Sequence, residues 1–353
     1  MPSVPTPRLP TVSDVAEAAG VSRQTVSNVL NAPAVVRPDT RGRVEKAIAD
    51  LGYRPHASAR RLRTRKSSTI GVRLDPVQNG ISGAVLDRFL HAVTEQADRR
   101  GYRILLYTAA SPADEIAQFG RLLDGADVDG FVLTSTSFDD PRTEWLIAAG
   151  AEFVTFGRPW GLDDVDDPRH RWVDVDGRHG IASATRSLLD DGARRIAFVG
   201  WPAESGAGND RRRGWHEAMA AGSGLSPEAL DALDLHLEDS VSVAAAAVHG
   251  LLEGGGLDAV VCASDTLALG ASTVVGPGVR VVGYDDTPVA AALGFSSVQQ
   301  PLEEVASAAL QLLLDGGSGV DAAGGGGGGA EVGSTAGPGA DRHRLLRPRT
   351  VWR

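Results

Sequence analysis

The chain has 353 residues, a length typical of two or three domains, and a net charge of −10. Its single cysteine, Cys262, excludes disulfides within the chain, and no stretch approaches the roughly 18 apolar residues of a membrane-spanning helix. The first residues, MPSVPTPRLP, lack the apolar segment of an export signal, so we expect a cytoplasmic protein without membrane contact.

Residues 11–31, TVSDVAEAAGVSRQTVSNVLN, have the pattern of two short helices around a tight turn. Thr11 and Asp14 have the spacing of a capping box at the start of the first helix. Gly20 provides a left-handed stop, and Ser22 caps the second helix. The apolar positions of both helices are predicted to face one core: Val12, Val15, Ala16, Ala19, Val26, Val29 and Leu30.

The polar side chains of the second helix gather on its opposite face, beginning at the helix N-terminus. This is the layout of a recognition helix, where Arg pairs with guanine and Gln or Asn with adenine. The predicted base-reading face comprises Arg23, Gln24, Ser27 and Asn28. The alternative is a surface helical hairpin with ordinary polar residues.

A third helix is predicted from Pro38 to Gly52, with Val44, Ala47, Ile48 and Leu51 at helical spacing. The three helices together predict a helix-turn-helix headpiece over residues 1–55. A basic linker over residues 56–68 follows, containing ASARRLRTRK. Its residues 57–62 have helical character, but so short a helix is marginal alone in water, so we expect it to fold only on DNA.

The charge is divided unevenly along the chain. Residues 1–66 contain twelve Lys or Arg and five Asp or Glu, whereas the remaining residues contain 23 and 40. A basic N-terminal region before an acidic body is typical of a protein that binds nucleic-acid phosphates at one end only.

Residues 69–353 alternate short apolar runs with helical stretches, such as Val85–Arg100, Ile181–Leu189 and Arg213–Ala221. This alternation predicts an α/β body of parallel sheets flanked by helices, with too many strands for one small sheet. The predicted strands are TIGVRL, YRILLY, GFVLT, EFVTF, RIAFVG, DAVVCA and VRVVGY, with RLLRPRTVW as a last one. The Gly-rich residues 316–340 predict a disordered loop, to which we assign no function.

Ligands of open α/β sheets bind beyond the carboxyl ends of the strands. Polar or aromatic side chains that follow the predicted strands are therefore candidate contacts: Asp75, Asn79, Trp201, Ser264, Asp265, Asp285 and, at the end of a long loop, Arg211. Sugars stack on aromatic rings, and rings are scarce here, so Trp160 and Trp172 are added, whereas Trp215 is predicted to lie in the core. No motif of a serine hydrolase, a metal site or a phosphate-binding loop occurs, so we predict a non-enzyme without a cofactor.

The chain resembles the lactose/galactose repressor family of bacterial transcription regulators. The residues that carry the resemblance are the helices of residues 11–31, the hinge LGYRPHASARRL, and the motifs NDRRRGW, CASDTLALG, VVGYDD and SSVQQPLEEV. The resemblance implies two lobes of periplasmic-binding-protein type that clamp a small ligand. It also implies three chain crossings between the lobes, which we place near residues 157–172, near 295–303 and after 330.

For DNA, the resemblance implies that a hinge helix inserts Leu62 into the minor groove, with Ala59 beside it. A linker leucine packed on the body is the alternative for Leu62. We expect Arg23, Gln24 and Asn28 to contact bases, and Thr25, Thr40 and the hinge arginines to contact phosphates. The complete predicted DNA-binding set is Ser22, Arg23, Gln24, Thr25, Ser27, Asn28, Thr40, His56, Ala59, Arg60 and Leu62.

For the effector, the resemblance assigns ligand contacts to Arg211, Ser264, Asp265, Asp285 and Gln300. Ser264 departs from the Asn that is more frequent in the family, which puts a direct transfer of sugar specificity in doubt. An ion pair within the lobe is the alternative role for Arg211, and a helix N-cap is the alternative for Asp285.

These observations predict a homodimeric repressor of carbohydrate-utilisation genes that binds a near-palindromic DNA operator and is released by a small sugar. A corepressor system that responds to a nucleobase is the alternative within gene regulation. A sugar receptor or sugar-modifying enzyme on the same two-lobe body is the alternative from another class.

Overall fold

The computed structural model describes residues 10–53, 66–74, 83–160, 165–315 and 342–353. The chain forms two compact units, Met1–Ser67 and Ser68–Arg353.

The described part of the N-terminal unit contains three helices, α1 (Val12–Ala19), α2 (Arg23–Asn31) and α3 (Pro38–Leu51), with a short 3₁₀ turn at Pro33–Val35. The predicted capping box is present, because the Thr11 backbone N–H donates to Asp14 Oδ2 over 2.7 Å and Thr11 Oγ1 accepts from the Asp14 N–H. Gly20 has φ +61°, and its left-handed conformation ends α1 as predicted.

The core of this unit is formed by the apolar positions that helical spacing indicates, with Val15, Val26 and Val44 fully buried. Leu51 is an exception, because 39% of its surface is exposed. The chain turns at Gly52 (φ +64°), and the next residue, Tyr53, donates its N–H to the Ile48 carbonyl and packs into the core instead.

The second unit contains two six-stranded sheets, each with its own helices, which we call lobe 1 and lobe 2. Lobe 1 has the strand order β11-β5-β4-β3-β1-β2, and all its neighbouring strands run parallel. Its strands are β1 (Thr69–Arg73), β2 (Arg103–Tyr107), β3 (Gly130–Leu133), β4 (Phe153–Phe156), β5 (Arg171–Val175) and β11 (His343–Leu346). Its helices are α4 (Gly83–Arg99), α5 (Pro112–Asp124), α6 (Pro141–Ala148) and α13 (Leu302–Asp315).

Lobe 2 has the strand order β12-β10-β9-β8-β6-β7, with only β12 antiparallel to its neighbour. Its strands are β6 (Ile196–Gly200), β7 (Asp234–His236), β8 (Ala259–Cys262), β9 (Arg280–Tyr284), β10 (Ser296–Gln299) and β12 (Arg349–Val351). Its helices are α7 (Gly177–Asp190), α8 (Gly206–Gly222), α9 (Pro227–Asp231), α10 (Val241–Glu253), α11 (Asp265–Ser272) and α12 (Pro288–Leu293).

Within the described residues of the second unit, the chain passes between the lobes three times. The first crossing lies at residues 176–177, so our placement near 157–172 was wrong. The reason is that β5 pairs in parallel with β4, with Thr155 opposite Trp172, and so still belongs to lobe 1. The second crossing follows β10, within the predicted range, and the third joins β11 to β12. The predicted last strand is therefore two short strands in different sheets, separated at Pro348.

Buried apolar side chains fill the spaces between each sheet and its helices. In lobe 2, Trp215 on α8 is fully buried, as predicted, and stacks on Phe198 of β6. Gly214 allows α8 to approach α7 closely, since a Cβ there would lie 2.1 Å from the Arg178 carbonyl oxygen. No helix among the described residues is both long and apolar enough to cross a membrane.

Candidate functional site

The candidate DNA-reading face lies on α2. Arg23 and Gln24 are exposed in the first turn, and Gln24 Nε2 donates to Asn28 Oδ1 over 3.0 Å. Ser22 caps the helix, because its Oγ accepts from the Thr25 N–H over 3.1 Å. The amide groups of Gln24 and Asn28 are thus held side by side on one helix face, an arrangement that suits contacts with adjacent bases.

The structure shows less about the other predicted DNA contacts. Ser27 lies on the same helix and accepts from Asn31 Nδ2, while Thr40 is half-buried in the first turn of α3. The predicted hinge contacts lie outside the described residues: His56, Ala59, Arg60 and Leu62. The DNA contacts therefore stay predictions.

The candidate effector site is a cavity of about 530 Å³ between the two lobes of the second unit. Its lining comes mainly from residues at or just beyond the carboxyl ends of parallel strands, as expected for an open α/β sheet. Lobe 1 contributes Val85, Leu86, Thr134, Ser135, Thr136, Phe156, Gly157, Trp160 and Asp174. Lobe 2 contributes Trp201, Pro202, Ser205, Ala207, Arg211, Asp239, Asp285 and Gln300.

Asp285 is the buried carboxylate of the lobe 2 wall. Gln300 Nε2 donates to Asp285 Oδ1 over 2.7 Å, and the backbone N–H of Asp285 donates to the Val298 carbonyl. Its φ of +109° is unusual for a residue with a Cβ, which indicates that the surrounding contacts hold it in a strained conformation. Burial raises the pKa of Asp285 to about 7, although Arg211 opposes the rise. The helix cap considered as its alternative role belongs to Thr287 instead.

Arg211 lies in the second turn of α8, which begins at Gly206. The loop after β6 is therefore shorter than the sequence indicated. Its guanidinium lies over two rings, 3.6 Å from the centre of Tyr284 and 4.9 Å from that of Trp201. Its Nη1 donates to the Ala263 carbonyl over 2.6 Å. Within the described residues Arg211 forms no ion pair, so stacking and this hydrogen bond hold it at the cavity wall.

Ser264 and Asp265 were predicted to contact the effector, but both are fully buried and neither lines the cavity. Asp265 accepts hydrogen bonds from Thr287 and Ser297, which tie the loop after β9 and strand β10 to α11. Ser264 caps α11 and donates to Asp239. The structure thus places the pair behind the wall, where it supports the residues in front.

Asp239 is a lining residue that the sequence did not indicate. Its Oδ1 accepts from Trp201 Nε1 over 3.1 Å and from Ser264 Oγ over 2.5 Å. It follows β7, a strand of three residues that is too short to give a clear apolar pattern.

Two indole rings line the cavity, Trp160 from lobe 1 and Trp201 from lobe 2. Trp160 Nε1 donates to Thr136 Oγ1 over 3.1 Å, and its ring packs on the first turn of α8 in the other lobe. Gly206 permits this approach, since a Cβ there would lie 2.2 Å from a ring carbon. Trp172 does not reach the cavity, because it is buried in β5 and stacks on His343.

Lobe 1 also supplies Asp174, which the sequence analysis missed. Arg158 Nε donates to Asp174 Oδ2 over 2.8 Å, and Arg158 Nη2 donates to Asp210 Oδ2 over 2.7 Å. The only signal in the sequence for Arg158 and Asp174 was their position in FGRPW and WVDVDG. Two predicted contacts of lobe 1, Asp75 and Asn79, lie outside the described residues. Among those described, no group of His, Cys, Asp and Glu side chains is arranged to hold a metal ion.

Comparison with known proteins places both units in one family. Residues 11–56 match the model of bacterial regulatory proteins of the lacI family, and residues 86–311 match that of periplasmic binding proteins and the sugar binding domain of the LacI family. The chain belongs to the LacI family. This LacI-family chain is therefore a DNA-binding transcriptional regulator with a helix-turn-helix domain and a two-lobe, sugar-binding-type domain.

Individual relatives support this assignment. The HTH-type transcriptional regulator CelR of Thermobifida fusca is 36% identical over 324 residues, covering 87% of this chain and 92% of CelR. AglR of Rhizobium meliloti is 33% identical, covering 79% of this chain and 76% of AglR. A solved structure of a transcriptional regulator CelR–cellobiose complex superposes with a TM-score of 0.65 at 30% identity, covering 97% of this chain and 98% of that one.

Proposed function

We propose that this LacI-family regulator is a dimeric repressor of carbohydrate-utilisation genes, released from its operator by a neutral disaccharide of the cellobiose type. The observation that carries the proposal is the pair of indole rings, Trp160 from lobe 1 and Trp201 from lobe 2, in a cavity that is also lined by carboxylate and amide groups. The similarity to a regulator whose structure contains cellobiose supports it.

The chemistry of the cavity suits a sugar. Aromatic faces pack against the apolar C–H faces of sugar rings, and one indole on each lobe would allow both rings of a disaccharide to stack. Asp285 and Gln300 provide acceptors and donors for hydroxyl groups, which themselves both donate and accept. A cavity of about 530 Å³ also falls within the range of about 300–1,000 Å³ that is common for small-ligand sites.

The charges of the cavity favour a neutral sugar over a phosphorylated one. Among the described lining residues, three carry a carboxyl group, Asp174, Asp239 and Asp285, and one carries a guanidinium, Arg211. A phosphate group would carry up to two negative charges into this acidic and partly desolvated space, where repulsion is screened less than in water.

At the other end of the chain, the exposed face of α2 supports the proposed operator contact. Arg23, Gln24 and Asn28 are the side chains that we propose to read bases, one set from each protomer of a twofold dimer on a near-palindromic operator. A sugar that closes the lobes would alter the dimer geometry and so weaken operator binding. Operator DNA would then weaken sugar binding by the same factor.

A thermal-shift panel on the full-length protein tests the ligand class. The panel contains cellobiose, maltose, glucose, glucose 6-phosphate, guanine and hypoxanthine, and we expect the largest rise in Tm with cellobiose. A ligand at a hundred times its Kd stabilises the folded state by about 2.7 kcal/mol. A rise with a purine only would overturn the sugar proposal, and a rise with glucose 6-phosphate above that with glucose would overturn the neutral class.

Operator release is tested next, on DNA selected from a random pool by the ligand-free protein. We expect cellobiose to weaken this binding and operator DNA to weaken cellobiose binding by an equal factor. Tighter DNA binding in cellobiose would make the sugar a corepressor instead.

We also propose that the chain binds its sugar without chemical change, since the relatives that it matches are transcriptional regulators. Overnight incubation with cellobiose followed by chromatography is expected to return the disaccharide intact. Release of glucose in proportion to protein concentration would contradict this.

A further inference from the structure

Arg158 connects the two lobes beside the cavity, although it does not itself line it. It follows β4 of lobe 1, and its guanidinium donates to Asp174 of the same lobe and to Asp210 of lobe 2. Each of the three side chains is less than one fifth exposed. A single cation thus bridges two carboxylates that belong to different lobes.

Each partner of Arg158 has a direct connection to the cavity. Asp174 lines its wall, and Asp210 immediately precedes Arg211, which lines it from the other lobe. The carboxylate of Asp210 also accepts from the Arg178 N–H over 3.1 Å, in the first turn of α7 and just past the first crossing. The bridge therefore fixes lobe 1, α8 and a crossing segment to one another.

The charges explain why the bridge is needed. Burial disfavours the charge of Arg158, but Asp174 and Asp210 outweigh this and raise its pKa, so the guanidinium stays charged. Without it, two poorly hydrated carboxylates would face each other across the lobe boundary and repel. The guanidinium also lies 4.9 Å from the centre of the Trp160 ring, the aromatic face of the lobe 1 wall.

We propose that Arg158 is a positioning residue of the effector site: by bridging Asp174 and Asp210 it holds the two walls of the cavity at the spacing that a bound ligand needs. The inference rests on the proposed function only where the test measures cellobiose binding. A second measurement, on the ligand-free protein, tests whether the bridge holds the two lobes together.

The test compares Asp210→Asn with Glu217→Gln, both in the full-length protein. Asp210→Asn keeps the side-chain shape but removes the charge that anchors Arg158 in lobe 2. Glu217→Gln removes a charge from the same helix two turns later, where the Glu217 side chain pairs with the Arg178 side chain at the surface and does not line the cavity.

With cellobiose as the ligand, we expect Asp210→Asn to raise the dissociation rate about tenfold, a typical effect of losing a partly buried ion pair. The association rate should change by less than about twofold, because differences in affinity between variants of one binding site lie mostly in the dissociation rate. Binding stoichiometry by calorimetry should stay at that of the wild type, as it would for a fully folded variant. Glu217→Gln should leave both rates unchanged, and equal dissociation rates for the two variants would overturn the inference.

Amide hydrogen exchange on the ligand-free proteins tests the bridge without any sugar. We expect Asp210→Asn to speed exchange in the peptide of residues 153–160, which lies in the other lobe, while Glu217→Gln does not. Arg158→Lys, which keeps the charge but not the two-pronged geometry, should speed exchange in residues 205–212. Wild-type exchange in both peptides would overturn the inference. If the wild type binds no sugar, the proposed function fails and this experiment still decides the role of Arg158.

Discussion

The reading face of α2 and the wall of the cavity are both polar, but they are built in opposite ways. Arg23 and Gln24 project from an exposed helix whose own caps and core hold it in place. Asp285 is buried, strained at φ +109° and shifted in pKa. The difference teaches that changes on the reading face can alter recognition at little cost in stability, whereas changes in the cavity alter both.

Asp285→Asn should sharpen this contrast most, because it removes the buried charge and keeps the shape. The pKa of Asp285 in the folded chain, about 7, lies above its ordinary value of 3.8, so wild-type stability falls as pH rises through this range. At pH 8 we expect Asp285→Asn to be more stable by up to about 4 kcal/mol, with the gain disappearing near pH 4. Urea unfolding at the two pH values measures this.

The same substitution should weaken cellobiose binding about a hundredfold, because a charged acceptor for sugar hydroxyls is lost. Operator affinity without sugar should not change. A variant that is no more stable than the wild type at pH 8, or that still responds to sugar, would contradict the assigned role.

Trp160→Ala should weaken cellobiose binding about tenfold to a hundredfold, since it removes one stacking face and the contact with Gly206. Its control is Trp352→Ala, which removes an indole that is 47% exposed and does not line the cavity. Calorimetry on both variants gives the comparison. Equal losses would mean that Trp160 does not stack on the ligand.

Arg23→Ala should relax base preference at one position of each operator half-site, at about 1–3 kcal/mol per contact, and leave Tm unchanged. Arg41→Ala provides a control, because Arg41 is an exposed cation of α3 that pairs with Glu45. Binding to a panel of single-base operator variants measures the preference. Uniform weakening on all sequences would assign Arg23 to phosphate contact.

Thr11→Ala should have the smallest effect, a loss of about 1 kcal/mol in the stability of the N-terminal unit from the broken capping box. Cellobiose binding should stay at its wild-type value. Hydrogen exchange in residues 11–20 measures the loss, and a change in the cellobiose affinity of the DNA-free protein would contradict the prediction.

Much of the fold could be predicted because its signals are local. The capping box joins residues three apart, Gly20 ends its helix by its own φ, and seven apolar runs each form a strand. The prediction failed where a strand lacked such a run, or where pairing with a neighbouring strand decided to which lobe a strand belongs. β5 is assigned to lobe 1 by its pairing with β4, which shifted the first crossing from its expected place.

The sequence by itself therefore determined the helix-turn-helix unit, the α/β class of the body and the set of polar motifs at strand ends. Only the tertiary structure decided which of those groups reach the cavity, because burial and pairing there depend on residues distant in the chain. Asp265 is drawn behind the wall by Ser297, while Gln300 holds Asp285 in it. Arg158 meets a partner 52 residues away, and no local pattern encodes such a contact.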